Sequence, residues 1–115
     1  MRFTKSENIY KITRITGNQD YILGICFDTK DSQEDTIQII DLHFPNLDNT
    51  KVRTSHTELL TQVLDGLNCL NQSLETNYTL SKIYYVPSLN ESGIYRALIR
   101  TLIRHYHEGK EFEES

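Results

Sequence analysis

A chain of 115 residues with 37% apolar and 24% charged content reads as one soluble domain spanning 1–115, long enough to bury a core without disulfide or metal staples. The formal net charge of −4, from 12 basic and 16 acidic side chains, disfavours broad nucleic-acid binding and favours a basic partner. No window approaches ~18 consecutive apolar residues, and the opening MRFTKSENIYK has no apolar run of a signal peptide, so a cytoplasmic protein with no membrane span is expected.

In chain order, residues 1–8 are polar and predict an edge or a short lead-in. The β-branched stretch 9–16 (IYKITRIT) predicts a first strand, and Gly17-Asn18 opens a turn after it. A second strand follows over 21–28 (YILGICFD), with Tyr21, Leu23, Ile25 and Phe27 on the core face. Gly24 and Cys26 leave its other face thin, so something is expected to pack closely there. Residues 29–35 (TKDSQED) form a charged hairpin loop, and 36–44 (TIQIIDLHF) a third strand closed by Pro45. Ile40, Leu42 and Phe44 are assigned to one face of that strand, and Ile37, Ile39, Asp41 and His43 to the other.

A polar connection over 46–54 leads to a first helix over 55–75. Ser55 and Glu58 have the spacing of a capping box, in which each side chain satisfies the other residue's backbone N–H. Leu60, Val63, Leu67, Leu70 and Leu74 form an apolar stripe, widened by Leu59 and Leu64, and Asn77 ends the helix. Gly66 is costly inside a helix and marks a close contact, assigned to a neighbouring strand. A fourth strand over 79–86 ends at Pro87, and Ser88 with Glu91 repeats the capping-box spacing. The second helix then carries Ile94, Leu98, Leu102 and Tyr106 on one stripe, flanked by Ile99 and Ile103. Arg96, Arg100 and Arg104 recur on another face before Gly109 and an acidic tail.

The order β-β-β-α-β-α predicts an α+β fold. Three antiparallel meander strands and a fourth, parallel to the third after a helical crossover, make a four-stranded mixed sheet covered by two amphipathic helices. The expected core is Leu23, Ile25, Phe27, Ile40, Leu42, Leu60, Val63, Leu67, Ile83, Leu98 and Leu102.

No stretch spells out a reaction. An acetyltransferase-like core shares the element order, but its pyrophosphate cradle needs glycine-rich backbone, and KVRTSHTEL has none. A ribonuclease-H-like start also shares the order. Asp28, Asp41, Glu58 and Asp65 could supply carboxylates for two-metal hydrolysis, yet the first strand carries no acid. Each of these acids also has a plain role as strand end, cap or solvated face. His105 and His107 diverge by about 200° on a helix, which suits a cationic C-terminus rather than a metal pair. His43 and His56 are isolated, and no nucleophile motif such as G-x-S-x-G occurs. Cys26 and Cys69 lie outside any C-x-x-C and are expected to be buried, reduced thiols. The expectation is no catalytic residue, no metal and no cofactor.

Two surfaces remain. Asp28, Asp31, Glu34 and Asp35 place four acids within eight residues, with Asp48 further on, and such a loop can steer a basic partner. The arginine stripe Arg96, Arg100 and Arg104 is the alternative partner face, able to hold phosphates or a partner's acids. The helix dipole accounts for cations there as well.

At YILGICFD (21–28) and NYTLSKIYYVPSLNESGIYRALIRTLI (77–103) the chain resembles small bacterial immunity proteins of contact-dependent growth inhibition systems. The resemblance implies a protein that binds a cognate toxin C-terminal domain, often a nuclease, and occludes its active site or substrate surface. It carries over no individual binding residue. The alternative from another class is the acetyltransferase-like or another small cofactor-binding α/β enzyme.

Overall fold

The computed structural model describes residues 1–15, 20–27, 37–41, 56–86 and 93–114. Six strands and two helices occur among them: β1 (Arg2–Ser6), β2 (Ile9–Ile15), β3 (Asp20–Phe27), β4 (Gln38–Asp41), α1 (His56–Leu74), β5 (Leu80–Tyr85), α2 (Ile94–His107) and β6 (Glu113–Glu114). They form one mixed sheet in the order β4-β5-β3-β2-β1-β6. The α+β class with two helices therefore holds, but the sheet has six strands rather than four.

Both extra strands lie where the sequence is polar. Within β1 only Phe3 is apolar; it pairs with Ile12, and its neighbours Arg2 and Thr4 pair with Thr13 and Lys11. The β1–β2 hairpin turns through Glu7 and Asn8, with Glu7 in the left-handed region at φ 56°. That turn normally advertises itself with glycine, which is absent here. β6 adds two residues parallel to β1, pinned by an Arg2–Glu113 ion pair at 2.7 Å.

The expected meander is also corrected. β5 inserts between β3 and β4, antiparallel to the first and parallel to the second. The flanks of 28–36 are thus not neighbours, and the charged stretch is not a hairpin loop. β4, with only four residues, takes the edge, where short strands are favoured. The apolar β3 and β5 take hydrogen bonds on both sides. The predicted parallel relation across the α1 crossover is present.

Strand pairing shows which face is buried. Ile12 opposes Leu23, Leu23 opposes Tyr85, and Ile25 opposes Ile83. These side chains join Leu59, Val63, Leu67 and Leu70 of α1 and Tyr95, Leu98, Ile99, Leu102 and Ile103 of α2 in one buried cluster. Ile39 opposes Ile83, and Ile37 and Ile39 pack on this cluster. The assignment of Ile40 to the core face is therefore inverted, since a one-residue step in a strand changes face. Ile40 opposes Tyr84 on the far side and is half-buried. Phe27 and Leu60 are half-buried at the cluster's margin, and Leu42 lies outside the described residues.

The helix signals hold in part. The stripe of α1 centres on Leu59, Val63, Gly66 and Leu70. Gly66 marks contact with α2, not with a strand: a Cβ there would lie 2.6 Å from Ile99 Cγ2 and 2.8 Å from the Arg96 carbonyl oxygen. α1 ends at Leu74, before Asn77, with Glu75 left-handed at φ 56° and the Thr76 N–H donating to the Asn71 carbonyl at 2.9 Å. Ser55, Ser88 and Glu91 lie outside the described residues. α2 starts at Ile94, later than a box at Ser88 implies, with Gly93 as its N-cap. One of its first backbone donors is satisfied by a residue of α1: Tyr95 N–H donates to Gln62 Oε1 at 3.1 Å. On β3, the thin face around Gly24 is filled by Lys11, Tyr84 and Ile9 from adjoining strands. Cys26 is buried, but Cys69 is exposed on α1, correcting the expectation of two buried thiols. No helix among the described residues is long and apolar enough to cross a membrane.

Candidate functional site

The acidic set Asp28, Asp31, Glu34, Asp35 and Asp48 lies outside the described residues. What the structure describes is where that segment is attached. Phe27 ends β3 beside Leu80, and Gln38 begins β4 beside Lys82, so both anchors flank the start of β5. They sit two strand spacings apart, about 10 Å, at one end of the sheet.

That end carries an aromatic cluster that the sequence analysis did not single out. Phe27 meets Tyr106 with ring centroids at 4.5 Å and Tyr78 at 5.5 Å, and Tyr10 meets Tyr106 and Phe112 at 5.1 Å each. Tyr106 is exposed at this position, although it falls on the apolar stripe of α2. The Tyr78 hydroxyl and His107 Nδ1 lie 2.8 Å apart. Burial, with the neighbouring Tyr106 adding to it, raises the Tyr78 phenol above its ordinary pKa. Asn71 secures the approach to this end. Its Oδ1 accepts from Thr76 Oγ1 at 2.8 Å and from the Tyr78 N–H at 3.0 Å, and its Nδ2 donates to the Tyr78 carbonyl at 3.0 Å. The only sequence signal for the cluster was tyrosine and phenylalanine at the ends of several separate elements, which no local periodicity connects.

The arginine stripe divides into two environments. Arg96 pairs with Asp65 of α1 at 3.1 Å, so Asp65 is an ion-pair partner rather than a merely solvated acid. Arg100 and Arg104 form no ion pair with a described residue. They line a groove of about 390 Å³ with Phe3, Ala97, Thr101, His105, Glu108 and Lys110. Its wall is built by aromatic contact: the Phe3 and His105 rings stack at 3.7 Å and 4°. His105 Nε2 is 2.7 Å from the Glu111 carbonyl oxygen. A carbonyl only accepts, so Nε2 carries the proton. Glu108 is the one acid among the described lining residues, and Lys110 already holds it at 2.9 Å. That hydrogen bond, with the Lys110 charge behind it and Arg104 and His105 further off, keeps the Glu108 carboxyl below its ordinary range.

Among the described residues, no three His, Cys, Asp or Glu side chains gather as metal ligands. Of the acids weighed for two-metal chemistry, Asp28 and the side chain of Asp41 lie outside the described residues. Glu58 and Asp65 line a second groove of about 370 Å³ between the helices, with Arg96 among them. No protein-family model, curated protein or solved structure matches the chain.

Proposed function

We propose that this chain is an immunity protein that binds a bacterial toxin domain, a basic nuclease in the first instance, and neutralises it by covering its active site or substrate surface. It acts by occupation rather than chemistry, needs no cofactor, contacts no nucleic acid itself and works in the cytoplasm beside its toxin's target. The observation that supports this most is the mounting of the acid-rich segment. Four acids within 28–35 connect two strands that flank β5 at one end of a hydrogen-bonded sheet. A nuclease presents basic surface to phosphates, and an acid-rich segment anchored to the sheet through β3 and β4 would compete for it. The two stretches resembling immunity proteins also fall together, because β3 pairs directly with β5 and α2 joins the same buried cluster.

The test uses the toxin domain that the proposal expects an adjoining upstream reading frame to encode. Asp31→Lys, Glu34→Lys and Asp35→Lys together are expected to slow association about ten-fold or more at low salt, and less at high salt, as electrostatic steering requires. Stopped-flow mixing at two ionic strengths reads this directly. Arg96→Glu, Arg100→Glu and Arg104→Glu serve as the control set. Loss of binding in that set, with none in the acidic set, would move the interface to α2. Failure of the wild-type chain to bind the domain at all would end the proposal.

A further inference from the structure

The groove beside α2 carries an inference independent of toxin binding. Arg100 and Arg104 are one turn apart on one helix face, where like charges repel. The chain as a whole has more acids than bases, yet neither guanidinium is in an ion pair with a described residue. Arg96 shows the contrast, since it meets Asp65 across the helix pair. The helix dipole favours cations near this terminus, but it does not require a groove around them. Here three elements close on the two arginines: Phe3 from β1, the last turns of α2, and Lys110 from the segment before β6. Glu108 is held in a close pair by Lys110 and reaches Arg104 only at longer range, so neither guanidinium is tied into an ion pair with a described residue. With Arg100, Arg104 and Lys110 against Glu108, the described lining residues carry a net charge of +2.

We propose that this groove is a binding site for a phosphate dianion, free or as a phosphomonoester. Two forked guanidiniums offer paired donors matched to phosphate oxygens. A lining at +2 balances a dianion rather than a single carboxylate. The aromatic wall formed by Phe3 and His105 narrows the site on one side, and a concave volume of about 390 Å³ falls in the range of small-molecule sites, with room for the organic part of a phosphomonoester beside its phosphate.

The experiment titrates the intact protein with inorganic phosphate, then with a phenyl phosphomonoester, while sodium chloride holds ionic strength constant. Arginine side-chain Nε–Hε signals and the His105 ring signals are followed by NMR. Saturable shifts confined to Arg100, Arg104 and His105 are expected. Arg100→Gln and Arg104→Gln should each weaken binding about ten-fold or more, the scale of one lost charge-assisted contact. Arg96→Gln, at the separate ion pair, should leave affinity within about two-fold. Circular dichroism melts check that each exposed substitution leaves the fold intact. Shifts that chloride reproduces, or equal weakening from Arg96→Gln, would show only a diffuse field and overturn the site. So would saturable binding of a polyglutamate peptide with none of phosphate, which would make the groove a seat for an acidic protein segment.

Discussion

At the scale of single residues, two backbone positions decide more than their propensities suggest. Helix propensity alone has Gly66→Ala stabilising α1 by about 1 kcal/mol. The added Cβ would instead fall 2.6 Å from Ile99 Cγ2 and 2.8 Å from the Arg96 carbonyl oxygen, and the carbonyl is backbone that cannot rotate away. Separating the helices to admit a methyl group outweighs the propensity gain, so a net loss of about 1–3 kcal/mol is expected in urea melts. Glu75 is the opposite case. It closes α1 in the left-handed region at φ 56°, where a side chain is strained, with the Thr76 N–H reaching back to Asn71. Glycine removes the strain but adds entropy to the unfolded chain, so Glu75→Gly should gain about 0.5–1 kcal/mol by the same melts. A Glu75→Gly variant no more stable than its parent would show that the strain is absorbed elsewhere. The second helix signals its end in sequence through Gly109 at φ 71°, whereas Asn77 overshoots the end of α1 at Leu74.

At the scale of elements, α2 serves two purposes along its length. Its first turns bury Ile94, Tyr95 and Leu98 and lie against α1. Its last turn delivers Tyr106 and His107 to the aromatic end of the sheet and His105 to the Phe3 stack. Tyr78 at that aromatic end and Tyr84 on the far face of the sheet give the molecule a pH signature. Tyr78 is raised by burial and by Tyr106, and Tyr84 by burial and by the Cys26 thiol beside it. Both folded values lie above the unfolded one, so the stability they contribute is complete below pH ~10 and is lost as pH rises through the folded values. Absorbance at the phenolate band should show a late-titrating group of tyrosines, and Tyr78→Phe should remove one of them. A Tyr78→Phe curve that superimposes on the wild type would place the late tyrosines elsewhere.

At the scale of the whole molecule, β3 is paired along both edges, and Cys26, on its face turned away from the helices beside Tyr84, is covered by neighbouring strands, so its exposure requires those strands to part. Cys26 on β3 is buried, whereas Cys69 on α1 is exposed. A thiol reagent should therefore label Cys69 at once and Cys26 only through opening of the sheet, with Cys26 labelling accelerating in mild denaturant. Mass spectrometry of the singly labelled species checks the order. Fast labelling of Cys26 in native buffer would mean that β3 frays locally and does not report the global transition.

The sequence by itself determined the elements whose signal is local. Alternation in YILGICF, the β-branched run at 9–15 and the leucine and isoleucine spacing of both helices each reflect one element burying one face, and all appear near their expected positions. The long connection through α1 also made a parallel β4–β5 pair legible, because a crossover needs that length. What the chain could not state locally was decided by tertiary structure. β1 carries one apolar residue and β6 carries none, so their pairing comes from backbone hydrogen bonds, the Arg2–Glu113 ion pair and the rings of Phe3 and Phe112. The place of β5 between β3 and β4 depends on which strands bury best from both edges, and no single strand encodes that comparison. The same holds for the arginines. Their spacing was plain in the sequence, but only packing across the helix pair gave Arg96 to Asp65 and left Arg100 and Arg104 in a groove with Phe3, a residue about a hundred positions away in sequence.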